Sequence, residues 1–461
     1  MHRSLVCVIA ATCLATGCQS YTPKPVDLAV HADAWAARSP ADESVVAFAA
    51  SIAAPAGSGR FDPTDGLTMR EGELVALVFN ARLRESRAQA MTALAGAENA
   101  GLWDDPTVDL DLLRIVESVP SPWVLFAAIR FTVPLSGRLE VEKAVAGAQH
   151  RLALEKVVAD EWATQSALRA TWLEWSAARI RTELNEQLIG RIDDMLAIVD
   201  QLEAAGELSR IEARVFRLER AARETDRIRL ESESARLALR CKALMGLVPE
   251  AAVELVPVLA FDRSTDVPDD DRARLSAGNP ILALRRAAYE VAEHALELEI
   301  RRQYPDLTIG PGYELDQDQS RIGFVLGAPV PILNANRLGI ATATAEREAV
   351  RASLEGEYER LVSELAQAAL ERRSAIAVRE AVEQLLVPLA EAQLADQRHL
   401  AELGELDALL ALDAAVRALE TKSRLVDARL AEAQAQNRII ELLGPEPSPT
   451  AERDARAGES T

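Results

Sequence analysis

The sequence predicts a mainly α chain with a small β part, built from two internal copies of one long helical unit. Three observations predict this. Leu135–Ala205 is proline-free and carries apolar residues at helical spacing, as in Leu188, Ile192, Met195 and Val199, with charges such as Glu155, Lys156, Asp160 and Glu161 between them. Leu333–Leu403 repeats that design with Pro388 as its sole proline. Landmarks also recur at a fixed offset: Asn80 with Asn279 and Pro106 with Pro305 at 199, and Gly206 with Gly404 and Gly246 with Gly444 at 198. A helix as long as Leu135–Ala205 would extend about 100 Å. Ordinary globular helices run roughly 8–20 residues, so the pattern points to a coiled coil, a repeat or another elongated structure.

The chain opens with a targeting pattern over residues 1–17: His2 and Arg3, the apolar run Leu5–Leu14, then small residues to Gly17. Leu14-Ala15-Thr16-Gly17-Cys18 resembles a bacterial lipoprotein cleavage site, which makes Cys18 the expected lipidation site. The alternative is a plain signal peptide followed by an incidental cysteine. Residues 18–67 read as an extended or loosely packed arm rich in Ala, Pro, Ser and Asp.

The first repeat spans 68–248. Thr68-Met69-Arg70-Glu71 is a capping-box pattern that starts a helix expected to reach Leu102. Asp105-Pro106 stops it. Two alternating segments follow, Thr107–Glu117 and Trp123–Val133, separated by Val119-Pro120-Ser121-Pro122, and these predict a β hairpin. The strands have the length of tilted membrane-spanning strands, although a soluble hairpin has the same period. The long helix comes next, then the Gly206 turn. Ser209–Glu212, a second capping box, starts a helix to Met245. The short helices before the hairpin and after the turn together match the long one, so they are expected to stack end to end along it.

Residues 249–271 form a linker, and 272–444 repeat the plan. A helix runs to Gln303, strands cover Asp306–Leu315 and Arg321–Ala328 around the polar turn Asp316–Ser320, and helices flank the Gly404 turn. Pro311 argues against a regular strand there, because proline has no N–H for the ladder. Gly190 and Pro388 fall at matching places, so a kink is expected at both. Residues 445–461 read as a disordered tail.

Composition narrows the function. The 461 residues carry a net charge of −21, which argues against a nucleic-acid partner. Four strands cannot close a barrel, and open sheet edges are not tolerated in lipid. If the hairpins enter a membrane, several chains must share one barrel. The histidines His2, His31, His150, His294 and His399 form no HxxxH or HExxH pair, and no GxSxG or phosphate-cradling loop occurs. Neither an enzyme nor a cofactor is called for. Cys241, the one cysteine left after Cys18, reads as a core residue.

Several stretches together resemble the TolC-type outer-membrane efflux protein family over roughly Thr68–Gly444. They are Asn279-Pro280 at a helix start, Tyr304-Pro305-Asp306-Leu307 entering a strand, Val330–Arg337 leaving the second hairpin, two glycine helix turns and Leu442-Leu443-Gly444. The resemblance implies a homotrimer. Three chains would pool twelve strands into one shared β-barrel and their long helical hairpins into a periplasmic tunnel. It implies the channel subunit of a tripartite efflux system, lipid-anchored in the outer membrane and met by a periplasmic adaptor protein and an inner-membrane pump. The short second hairpin and Pro331–Arg337 are most similar to the cobalt-zinc-cadmium branch, which implies divalent-cation cargo. Multidrug or organic-solute efflux is the alternative cargo, and a periplasmic coiled-coil scaffold the alternative class.

The same resemblance places an adaptor-docking tip at Gly206, Glu207, Leu208, Gly404, Glu405 and Leu406. It places Asp413 at the tunnel entrance, where three symmetry-related carboxylates would attract cations; the second such position is Leu410. Asn80-Ala81 departs from the family's Asn-Pro, and Arg114 and Arg130 put charge within the first hairpin.

Overall fold

The computed structural model describes residues 21–52, 61–259, 271–403 and 407–445. The chain divides into two units, residues 1–39 and 40–461. In the first, helix α1 (Leu28–Ala36) is N-capped by Asp27, whose carboxylate accepts from the Ala29 N–H at 2.9 Å. The expected targeting segment and the tail from 446 onward lie outside the described residues.

The second unit begins with α2 (Glu43–Ser51), so the expected arm is partly helical, and its Val45 is fully buried in the first core. The capping box at Thr68 forms as expected, with Thr68 Oγ1 accepting from Glu71 N and the Glu71 carboxylate accepting from Thr68 N. The helix it starts does not run to Leu102. It breaks at Asn80 into α3 (Met69–Phe79) and α4 (Ala81–Glu98). Strands β1 (Thr107–Arg114) and β2 (Trp123–Val133) follow. Helix α5 (Arg138–Ala205) then runs unbroken through Gly190, so no kink forms there, and α6 (Arg210–Leu244) returns along it.

The second repeat contains α7 (Arg272–Gly278), α8 (Pro280–Arg301), β3 (Leu307–Asp316), β4 (Gln319–Gly327), α9 (Arg337–Ala381), α10 (Val387–Glu402) and α11 (Ala408–Leu443). Between α9 and α10 the backbone widens into a π-helical turn, Val382–Leu386. Pro388 lies just beyond it and offers no N–H to the preceding turn. The widened turn absorbs that missing bond, so the helix adapts at Pro388 and needs no such device at Gly190.

Asn80 and Asn279 make the end-to-end stacking physical. The Asn279 side chain accepts from Ile281 N at 2.9 Å and Leu282 N at 3.0 Å, capping α8, while its Nδ2 donates to the last-turn carbonyl of Leu442 in α11 at 2.7 Å. Asn80 does the same in the first repeat, accepting from Arg82 N at 2.9 Å and donating to Leu244 O at 2.7 Å. One amide thus satisfies orphan groups at the start of one helix and the end of another. The chain leaves each junction through a glycine at positive φ, Gly246 (+73°) and Gly444 (+80°). A Cβ on Gly246 would lie 2.3 Å from the Phe79 carbonyl oxygen, so the close approach requires glycine.

The first core gathers around Trp172, fully buried and edge-on to Trp175 at 6.0 Å, with Val45, Val75, Leu168, Cys241 and Met245. The linker is held against it: the Trp172 Nε1 donates to Val256 O at 3.0 Å, and Leu67 bridges to Leu255. A second core joins Leu275, Leu282, Leu361 and Leu442, and a third joins Leu188, Ile192 and Phe216 to Leu412 and Ala415 of α11. Helix α5 therefore packs on α4 and α6 of its own repeat and on α8 and α11 of the other.

Candidate functional site

The four strands form one antiparallel sheet in the order β1-β2-β3-β4. Strand alternation sorts its residues by face. Val108, Leu110 and Leu112 share a face with Leu125, Ala127, Ile129 and Phe131, and the register continues it through Ile309, Pro311 and Tyr313 to Ile322, Phe324 and Leu326. That face is apolar and open: Val108 is 73% exposed, Phe324 81% and Ile322 86%. The opposite face carries Asp109, Asp111, Glu314 and Asp316 with Arg130 and Arg321.

Arg130 lies on the polar face and pairs with Asp109 at 2.7 Å. Arg321 pairs with Glu314 at 3.1 Å and approaches Asp316 at 3.7 Å. Arg114 is the one charge on the apolar face. It sits at the end of β1, with its guanidinium 5.7 Å over the Trp123 ring, so an aromatic surface rather than a carboxylate receives it.

Pro311 remains in strand, and in an interior one. Its missing N–H falls where the β2–β3 ladder skips, between the Ala128–Gly312 and Phe131–Ile309 pairs, while it still sits opposite Phe324 of β4. The expected polar turn is a two-residue connection, Gln317–Asp318, with φ of +47° and +65°. Positive φ at both positions suits the twist of a tight hairpin. The Ser121 hydroxyl donates to Asp318 at 2.5 Å, tying the two hairpin turns together.

Below the sheet, Arg138 opens α5 and holds three carboxylates: Asp306 at 2.9 Å, Glu142 at 2.9 Å and Asp104 at 3.0 Å. Burial pulls its pKa down, but the hydrogen bonds to Glu142 and Asp306 outweigh that and raise it. This hub ties the approaches to β1 and β3 to the long helix. Sequence reading missed it, because Asp104 and Asp306 meet Arg138 from far along the chain.

At the opposite end of α5, Gly206 closes the helix at φ +79°. The Glu207 and Leu208 amides donate back to Leu202 O at 2.9 and 3.2 Å, a Schellman-type end that favours glycine. The Ser209 capping box with Glu212 starts α6. Hydrogen bonds from the Ser209 side chain, then its backbone, hold the Glu212 carboxyl below its ordinary pKa. Of the expected tip residues, Gly206 and Glu207 are exposed, whereas Leu208 turns inward onto the third core. Gly404, Glu405 and Leu406 lie outside the described residues, as does Cys18. Asp407 caps α11, accepting from Leu409 N at 3.0 Å and Leu410 N at 3.2 Å. A cleft of about 670 Å³ opens beside this turn, lined by Met195, Ile198, Leu202, Phe216, Leu394 and Ala411.

Asp413 is half-buried and accepts from Arg417 Nε at 2.7 Å, one helical turn on. The hydrogen bond and the charge of Asp413 raise the Arg417 pKa. Asp413 is thus the acidic half of an ion pair, not a lone carboxylate. Leu410 is 53% exposed. Among the described residues no group of three or more His, Cys, Asp or Glu could hold a metal ion, and no helix is long and apolar enough to cross a membrane.

No family model matches the sequence, and no curated protein matches it. Solved structures do. The outer-membrane channel OprN superposes with a TM-score of 0.70 at 16% identity, covering 93% of this chain and 98% of OprN. The Campylobacter jejuni CmeC outer membrane channel gives 0.70 at 11% identity, over 95% and 97% of the two chains. CusC, a protein that undergoes transmembrane channel formation, gives 0.68 at 16% identity, over 82% and 92%. This chain, mostly helical with one small antiparallel sheet, has the fold of these outer-membrane channels.

Proposed function

We propose that this chain is one subunit of a TolC-type outer-membrane channel serving a tripartite efflux system. The observation that carries the reading is the sheet. It has one open face that is apolar but for Arg114 at the end of β1, one polar face and, among the described residues, two unpaired edges, β1 and β4. Lipid tolerates the first of these and not the last, so the edges need partners if the sheet enters a bilayer. Three copies would pool twelve strands, with the apolar face toward lipid and Asp109, Asp111 and Glu314 toward the lumen. A periplasmic scaffold has no use for such a face.

In this reading the lipidated Cys18 anchors the chain in the outer membrane, and the α5–α6 and α10–α11 turns meet the adaptor. The turn residues at stake are Gly206, Glu207 and Leu208, with Gly404, Glu405 and Leu406 in the second repeat. An inner-membrane pump supplies the energy. We propose divalent cations as cargo. Four carboxylates against two guanidinium groups on the polar face favour cations, and no tight metal site is needed in a conduit that must release what passes. Asp413 lines the entrance as a dipole with Arg417.

Two measurements test this. Cysteines at Leu110 and Phe324 should react with a lipid-soluble label and one at Asp111 with an aqueous maleimide; aqueous labelling of all three would sink the barrel reading. In cells lacking their own channel, this chain with its pump and adaptor should lower the accumulation of cobalt, zinc or cadmium. Protection against organic solutes alone would move the cargo to that class.

A further inference from the structure

The cleft beside the Gly206 turn lies where the two repeats meet, between α5 and α6 of the first and α10 and α11 of the second. Its walls are apolar, with Met195, Ile198, Phe216 and Leu394 among them. One polar group is set into that wall. The side-chain oxygen Oε1 of Gln397 is buried and accepts no hydrogen bond among the described residues. A buried acceptor without a donor is costly, and each one in a folded protein calls for a reason.

The repeat shows that the fold does not impose this amide. At an offset of 198, Leu394 matches Leu196, and both pack on the third core. Three residues on, Gln397 matches Val199, which is 1% exposed in that core. A valine closes the core in one repeat, and an amide interrupts it in the other.

Charge at the mouth narrows what fits. Asp193 pairs with Arg220, and Asp200 and Glu203 pair with Arg217, so these carboxylates are engaged by α6. Asp194 and Glu207 are exposed, line the cleft and form no ion pair among the described residues; nor does Arg191 beside them. Two carboxylates against one guanidinium leave the mouth net negative.

We infer that this cleft binds a hydrophobic monoamine in its ammonium form. The apolar body sits against Met195 and Phe216, and one N–H is donated to Gln397 Oε1. Asp194 and Glu207 favour the cation over a neutral or anionic analogue of the same shape. The cleft, about 670 Å³, is within the range of small-molecule sites, about 300–1,000 Å³. A bare metal ion does not fit, because among the described residues no group of three or more His, Cys, Asp or Glu gathers there. The site is complete within one chain, so the inference goes beyond the channel reading and does not rest on it. A ligand held in this wall joins the two repeats at their tip.

The test uses the full chain in native membranes. Ile198→Cys places a thiol in the cleft at a position 51% exposed, whereas the native Cys241 is buried elsewhere. The probe is 2-naphthylmethylamine, with 2-naphthylmethanol and 2-naphthoate as its neutral and anionic analogues. Maleimide alkylation is read on the peptide that carries position 198. The amine should half-protect it at a concentration about tenfold below that of the alcohol, and the acid should not protect. Gln397→Leu, which keeps the bulk and removes the acceptor, should raise the amine's half-protecting concentration about tenfold or more. Gln397→Glu, which keeps an acceptor and adds charge, should lower it. Equal protection by all three probes, or protection by none, would overturn the inference. So would an amine affinity in Gln397→Leu within about twofold of the parent, or a Gln397→Glu variant weakened as Gln397→Leu is. The channel reading fails by a different result, loss of the oligomer and its pore, which this assay does not measure.

Discussion

Asn279→Ala tests the junction on which each repeat turns. Asn279 is 2% exposed and serves two helices at once. Truncation removes the acceptor of the Ile281 and Leu282 amides and the donor to Leu442 O. Loss of an N-cap costs about 1 kcal/mol, and a buried carbonyl left without its donor costs about 1–3 kcal/mol, so the local cost is about 2–4 kcal/mol. Each 1.4 kcal/mol is tenfold, so exchange through local opening should accelerate roughly 30-fold or more. Hydrogen exchange of the extracted oligomer, followed at peptides covering 279–285 and 438–444, reads this directly. Asn279→Ser keeps a capping oxygen but loses the donor, and should fall between the wild type and the alanine variant. Exchange in Asn279→Ala within about twofold of wild type, less than roughly 0.4 kcal/mol, would refute the dual-cap reasoning.

Other substitutions probe the tip and the widened turn. Asp413→Asn breaks one exposed i,i+4 pair, worth about 0.3–0.5 kcal/mol, so assembly should persist; unchanged cation conductance across a bilayer would remove Asp413 from the entrance. Hydrogen bonds from Arg429 first and Arg379 second hold the Glu383 carboxyl below its ordinary value of 4.5. A depressed carboxyl stabilises above its unfolded pKa and loses that contribution as pH falls through the folded one. Protection of Val382–Leu386 against hydrogen exchange, corrected for the intrinsic pH dependence of amide exchange, should therefore begin to fall as the pH drops below about 4.5, and Glu383→Gln should remove that step. Burial pushes the Cys241 thiol up to about 12, so the folded protein should resist iodoacetamide at pH 8 and react once unfolded; ready native alkylation would contradict the core placement.

The long helices and hairpins were legible because their signals are local. Period, the Thr68 and Ser209 capping boxes and the Gly206 turn all act within a few residues. The break at Asn80 was less visible: Asn279 is followed by Pro280, which marks a helix start, whereas Asn80 is followed by Ala81, a strong helix former. What decides the break is the Leu244 carbonyl, 164 residues away. Pro311 illustrates the converse. Its local signal argues against a strand, but the ladder gap beside β2 accommodates it. At the site, the Asp413–Arg417 pair was readable from its i,i+4 spacing, whereas the Arg138 hub and the inward turn of Leu208 depend on packing between distant segments.

The central claim is that these chains share one membrane barrel. Detergent-extracted mature protein, sized by light scattering and then incorporated into a planar bilayer, tests it most directly. We predict a trimer that opens a cation-preferring pore. A monomer that leaves the membrane in mild salt and carries no current would contradict it, and the exposed sheet would then need another partner.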